Sequence, residues 1–172
     1  MELETLLKDM AELEIENSFR ISRNEKKLQK EKLLTLFNKD HNSLENIIYH
    51  YEQNSLVAFF RYTLKDTKIR ICSIQLKKDK EIYLRNLMIQ TVIKFDKLPF
   101  KKVYSEVYKK NSESLILHFK LKFQYKETVG RKIKLVCPRD TFLASVKRYL
   151  DNTSHNIGIA NSGAWRWSNQ QR

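Results

Sequence analysis

One histidine, His118, lies inside the amphipathic run NSESLILHFKLKF (111–123). An imidazole with an ordinary pKa of about 6.5 can give or take a proton at neutral pH, so His118 is a candidate acid. The same position also reads as a boundary residue of a packed helix, satisfied by a local hydrogen bond. Glu106 lies on the strand-like segment before it. Its carboxylate could help deprotonate an amine, directly or through water. Its parity with Tyr104 and Tyr108, opposite Val103, Ser105 and Val107, also suits a plain solvent-face residue. Asn111 and Ser112 stand where a strand gives way to a helix and can serve as cap or turn residues. Lys77, Lys78, Lys80 and Arg85 form a basic group that could hold a polyanion or simply solvate a turn.

Other reactive types carry less. Cys72 and Cys137 sit in the apolar runs ICSIQL and KLVCP without CxxC spacing, so they read as small buried hydrophobes. Neither has an activating histidine beside it in sequence. His41 and His50 have no partner at metal-ligand spacing, and no metal site is expected. Trp165 and Trp167 flank Arg166 in a polar tail that could stack on bases or dock on a partner chain, a second copy included.

Composition bounds the class. The 172 residues suit one domain with a sizeable core. The 41% apolar and 31% charged content is that of a globular chain. No apolar run approaches the roughly 20 residues of a membrane span. The start, MELETLLKDMAELEIE, lacks the signature of a signal peptide, so a cytoplasmic location is the default expectation. The net charge of +13 fits a polyanionic partner, and equally a generally lysine-rich surface.

These residues need elements to position them. Leu3, Leu6, Leu7, Met10 and Leu13 recur at helical spacing over 1–16. FRISRN, with Phe19 and Ile21, alternates as a short strand. A helix follows from Glu25 to Phe37, and Asn42-Ser43 could cap a further turn over SLENIIYHYE. Segments 56–64 and 68–76 read as strands joined by a Lys-Asp-Thr turn. Segment 82–96 is helical and Pro99 stops it. Segment 101–109 is a strand, and the helix after it runs from Ser112 to about Leu121. QYKET and RKIKLVCP form a hairpin whose Gly130 suits positive φ. TFLASVKRYLD is a last helix. The aromatics Tyr49, Tyr51, Phe59, Phe60 and Tyr62 are expected mostly in packing. A strand–helix–strand unit over 69–107 demands a crossover, so part of the sheet is expected to be parallel. The fold class is therefore mixed α/β or α+β.

The interval from Val107 to Asn111, followed by Ser114, Leu115, His118, Lys120, Leu121 and Phe123, resembles a signature of the GNAT superfamily of N-acetyltransferases. That signature spans the family's fifth strand and the helix after it. It reads Val, three residues, Asn, then a small residue, an apolar residue, Tyr or His, and a closing x-K-L-G-F. Lys122 departs from it, standing where the family carries Gly. The element order over roughly 19–137 is also similar. The resemblance implies one domain, with a curved sheet of six to seven strands covered by helices on both faces. It adds a helix at 1–16, and a helix and tail at 139–172.

The resemblance further implies roles. In the family, a glycine-bearing loop at the start of the following helix holds the CoA pyrophosphate. Aligned on the preceding strand, Lys80 falls near the usual Arg or Gln, and Tyr83 and Arg85 fall where the glycines would be. The chain's three glycines, Gly130, Gly158 and Gly163, lie elsewhere. Basic side chains would then hold the phosphates, with Leu84 beside them, or the CoA site is altered. Backbone N–H groups near Ile74, Gln75 and Leu76 would polarise the thioester carbonyl. Asn111 and Ser114 would lie against the pantetheine arm, His118 would protonate the leaving thiolate, and Glu106 or water would take the amine proton. The expected activity is acyl transfer from acetyl-CoA or another acyl-CoA to a small-molecule amine, including an acidic or phosphorylated one. Two alternatives share the scaffold. One is a non-catalytic module binding nucleic acid or a partner protein, and the other an acyltransferase served by an acidic acyl carrier protein.

Overall fold

The computed structural model describes residues 3–17, 23–39, 44–77 and 82–155. In chain order the elements are α1 (Leu3–Glu16), α2 (Arg23–Lys39), β1 (Ile47–Glu52), β2 (Ser55–Lys65), β3 (Lys68–Leu76), α3 (Ile82–Asp96), β4 (Lys102–Tyr108), α4 (Ser112–Lys120), β5 (Gln124–Val129), β6 (Lys132–Pro138) and α5 (Arg139–His155). The strands form one sheet in the order β1-β2-β3-β4-β6-β5. Every pairing is antiparallel except β3 with β4, which is parallel across the α3 crossover. The chain therefore has the mixed α/β architecture expected from its crossover unit. Residues 19–22 of the FRISRN segment and the tail residues Trp165 and Trp167 lie outside the described residues, while Arg23 and Asn24, expected to end a short strand, instead open α2.

The sheet is covered on both faces around β2, which is apolar on both. On β2, Ala58, Phe60 and Tyr62 pack into one cluster with Leu84, Leu87, Met88 and Phe95 of α3, Leu117 of α4, and Phe142 and Val146 of α5. Leu56 and Phe59 point the other way, into Leu6, Leu7 and Met10 of α1 and Leu33 and Phe37 of α2. The helical stripe read from the N-terminus is thus the buried face of α1. Phe95 anchors the larger cluster, with ring centroids 4.8 Å from Tyr62, 5.6 Å from Phe100 and 5.9 Å from Phe142.

One sequence expectation is corrected. SLENIIYHYE does not continue as helix: a single 3-10 turn over Leu44–Asn46 passes straight into β1. Ile47 joins the α1–α2 cluster while Ile48 joins the α3 cluster, an alternation that needs strand geometry. Gln53 and Asn54 both hold left-handed φ, 48° and 61°, and make the two-residue turn into β2. Neither is glycine, so the usual hairpin signal was missing. The hairpin between β5 and β6 turns at Gly130 with φ 57°, as its glycine suggested.

Candidate acyl-transfer site

The parallel ladder between β3 and β4 is short. It runs from Lys68–Lys102 to Ile71–Ser105 and stops, although β3 continues to Leu76 and β4 to Tyr108. On its other side β3 stays paired with β2 as far as Leu76, opposite Ala58. The register there slips between Arg61 and Tyr62: Arg61 faces Ser73 and Tyr62 faces Ile71, leaving Cys72 as an extra residue. Such a bulge bends a strand and increases its twist. It falls one residue past the last β3–β4 pair, so the two strands part there and leave a wedge. The carboxyl ends of both strands open into this wedge, and α3 and α4 begin shortly after them.

Ser105 stands at the apex. Its side chain shares the face of Val103 and Val107, beneath α4. Nδ1 of His118 lies 2.7 Å from the Ser114 carbonyl, which can only accept, so Nδ1 carries the proton. Nε2 then accepts from the Ser105 hydroxyl at 2.8 Å. The imidazole is 4% exposed and lies edge-on to Phe123 at 4.9 Å. Burial pushes its pKa down to about 4, and the Ser114 carbonyl opposes that only in part. His118 is thus a neutral ring that fixes Ser105, and donating a proton from Nε2 would first require a charge that its surroundings disfavour. The Asn111 side chain caps α4 by accepting from the Ser114 N–H at 3.0 Å. Ser114 is buried one turn before His118, with Oγ 3.4 Å from Nδ1.

Lys122 follows α4 with φ 65°. Its N–H bonds to the Phe119 carbonyl and the N–H of Phe123 to that of His118, both at 2.9 Å. This left-handed C-terminal turn is the conformation that favours Gly, which explains why the resembled signature has Gly there.

On the opposite face of the sheet, Glu106 is partly exposed and ion-paired with Arg70 at 3.4 Å and Lys132 at 3.9 Å. It does not share a face with His118. Across the wedge on this same face, β3 carries Ser73 and Gln75, both buried beneath α1. The Ser73 hydroxyl donates to Glu14 at 3.3 Å, and Gln75 Nε2 donates to Ser73 Oγ at 3.3 Å. Asn17 Nδ2 donates at 2.9 Å both to Gln75 Oε1 and to the Leu76 carbonyl. Burial raises the pKa of Glu14, offset in part by Arg61 and Ser73. This network and Ser105 were not singled out from the sequence. The available signal was polar Ser73 and Gln75 alternating with Ile74 and Leu76, with Glu14 one turn past Met10 on the apolar stripe. A cleft of about 180 Å³ adjoins the same end of β3, lined by Asp9, Glu12, Glu16, Asn54, Ser55 and Lys77 among others.

The remaining candidates divide. Ile74 and Leu76 face the α3 cluster while the Gln75 side chain turns to α1. Leu84 is core. Tyr83 stacks on His50 at 4.5 Å and donates to Glu52 at 2.6 Å. Arg85 is half-buried on the first turn of α3. Lys80 lies outside the described residues. Cys137 is core, its thiol pushed up to about 11 by burial, which makes it a poor nucleophile at neutral pH. Among the described residues no group of three His, Cys, Asp or Glu could hold a metal, and no helix is long and apolar enough to cross a membrane.

A six-stranded mixed sheet with helices on both faces, in this order, matches the fold of the GNAT acetyltransferases. Solved structures of that fold superpose on this chain. The PaiA N-acetyltransferase of Thermoplasma acidophilum in complex with coenzyme A matches with TM-score 0.57 and 18% identity, over 78% of this chain and 94% of that one. FdhC, a nucleotide-linked sugar GNAT in its apo form, matches with TM-score 0.62 and 17% identity, over 87% and 90%. The ribosomal-protein-S18-alanine N-acetyltransferase of Escherichia coli matches with TM-score 0.57 and 16% identity, over 80% and 90%. No protein-family model and no curated protein matches the sequence.

Proposed function

We propose that the protein is an N-acyltransferase that moves an acyl group from acetyl-CoA or another acyl-CoA to an amine. The observation that carries this reading is the wedge, where the β3–β4 ladder ends at Ile71–Ser105. Beyond that rung, the β4-facing edge of β3 has no ladder partner among the described residues. Backbone N–H groups around Ile74 to Leu76 are then available to a thioester carbonyl. The N-terminus of α3, fifteen residues long, follows and supplies the positive end of a helix dipole for the pyrophosphate. Arg85, on its first turn, adds charge where the glycine-bearing loop of the resembled family is absent.

The reaction is a direct transfer. The amine nitrogen attacks the thioester carbon, the C–S bond breaks, and the electron pair leaves on sulfur. The amine's surplus proton goes to water or to Glu106, and the thiolate is protonated by water. The neutral His118 ring, accepting from Ser105, positions that hydroxyl at the apex of the wedge. The acceptor is a small-molecule amine. The solved structures of this fold bear names as different as a nucleotide-linked sugar enzyme and a ribosomal-protein acetyltransferase, so the fold does not choose among acceptors.

Calorimetric titration with acetyl-CoA and dephospho-CoA tests the reading. Micromolar binding of acetyl-CoA, weakened about tenfold in Arg85→Ala by loss of one charge-assisted contact, is the expected result. No heat at millimolar acetyl-CoA would sink it, and an acyl-carrier-protein donor or nucleic acid would be titrated next.

A further inference from the structure

We propose that Glu14 and Asn17 of the α1 segment are positioning residues for the acyl donor, bracing the splayed half of β3 so that its free edge grips the thioester carbonyl. This inference rests on the acyl-CoA reading above and adds residues to it. The need for a brace follows from the topology. Up to Ile71, β3 is held from both sides; past the Cys72 bulge, among the described residues, it is held in the sheet through β2 alone. A strand with one neighbour and a bend at its root has a soft direction, and the softness lies along the width of the wedge. Backbone donors help a developing oxyanion only when they are already in place.

Two side chains that meet this half of β3 from the α1 segment, Glu14 and Asn17, are polar, where their surroundings are apolar. Glu14 and Gln75 are 5% and 0% exposed, within a layer formed by Leu6, Leu7, Met10, Leu33 and Phe37. Leucine or methionine would fill such space at lower cost, since taking a carboxylate from water costs several kcal/mol before any partner is counted. A satisfied buried network instead fixes geometry. This one fixes it at the right place. Ser73, Gln75 and Leu76 are consecutive points on the free half of β3, and all three are held from α1. Arg61 from β2 and Ser73 from β3 are among the groups around Glu14, so its carboxyl group is held between two strands of the same sheet.

The expected consequence is selective. Bracing the carbonyl-binding edge should favour acetyl-CoA over CoA, because the two share every contact except the acetyl group. Calorimetry with both ligands on the full chain reads this directly. Wild type is expected to bind acetyl-CoA about tenfold more tightly than CoA, the worth of about one hydrogen bond. Asn17→Ala and Glu14→Gln should bind CoA within about twofold of wild type and lose most of the preference. Leu7→Ala loosens α1 without touching the network and should keep it. Glu14→Gln is near-isosteric and carries the test if Asn17→Ala does not fold. An unchanged preference in both network variants, its equal loss in Leu7→Ala, or its absence from wild type would overturn the positioning role alone. Wild type that binds neither ligand would instead overturn the acyl-CoA reading, and the positioning role with it.

Discussion

Ser105 and His118 are joined by a 2.8 Å hydrogen bond at the last rung between β3 and β4. The serine is the donor, because the other ring nitrogen of His118 is committed to the Ser114 carbonyl. One side chain on a strand and one on a helix therefore fix the apex of the wedge.

Removing that donor should be costly. Ser105→Ala leaves a buried ring nitrogen without a hydrogen and should lower unfolding free energy by about 1–3 kcal/mol. Urea denaturation at pH 7.5 measures it. A change below about 0.3 kcal/mol would mean that the contact contributes nothing.

The same burial sets a pH dependence. His118 has a folded pKa of about 4, below its unfolded value of about 6.5. As pH falls through 6.5 the unfolded chain takes up a proton that the folded one refuses. The stability linked to His118 is therefore complete above about pH 6.5, declines between 6.5 and 4, and is lost below 4. The full effect is about 3 kcal/mol. Urea midpoints from pH 7.5 to 4.5 should fall accordingly, and the His118 ring proton resonances should not titrate near pH 6.5. A ring that titrates there would contradict the buried, neutral assignment.

Lys122 carries strain that glycine would release. At φ 65° a side chain crowds its own backbone, and helix C-terminal turns of this kind favour Gly. Lys122→Gly should raise stability by about 1 kcal/mol despite the greater freedom of glycine in the unfolded chain. A thermal melt beside wild type reads the sign, and a lower midpoint would refute it.

The sequence disclosed the elements whose periodicity is repeated and unambiguous. The helix expected at 82–96 is α3, and the strand expected at 68–76 is β3. Of the two candidate caps, Asn111 and Ser112, it is Asn111 that caps α4, and His118 of the apolar stripe lies on the inner face of that helix. β1 was not legible, because its turn uses Gln53 and Asn54 instead of glycine and its neighbours Ile47 and Ile48 turn into two different cores. The partners of His118 were hidden for another reason: Ser105 is thirteen residues away in the chain, and nothing in a strand's alternation says which helix will lie over it.

The chain by itself determined the local conformations and the faces that must be buried, since propensity and apolar periodicity act over a few neighbouring residues. It determined that β3 and β4 run parallel, because a helix between two strands of one sheet requires a crossover. Only the tertiary structure decided where that parallel pair stops, that Cys72 bulges at that point, and that α1 sets a carboxylate and an amide against the free half of β3. Those features depend on registers and contacts between separate segments, and a register is set by how two packed surfaces fit, a property of the assembled chain and of neither segment alone.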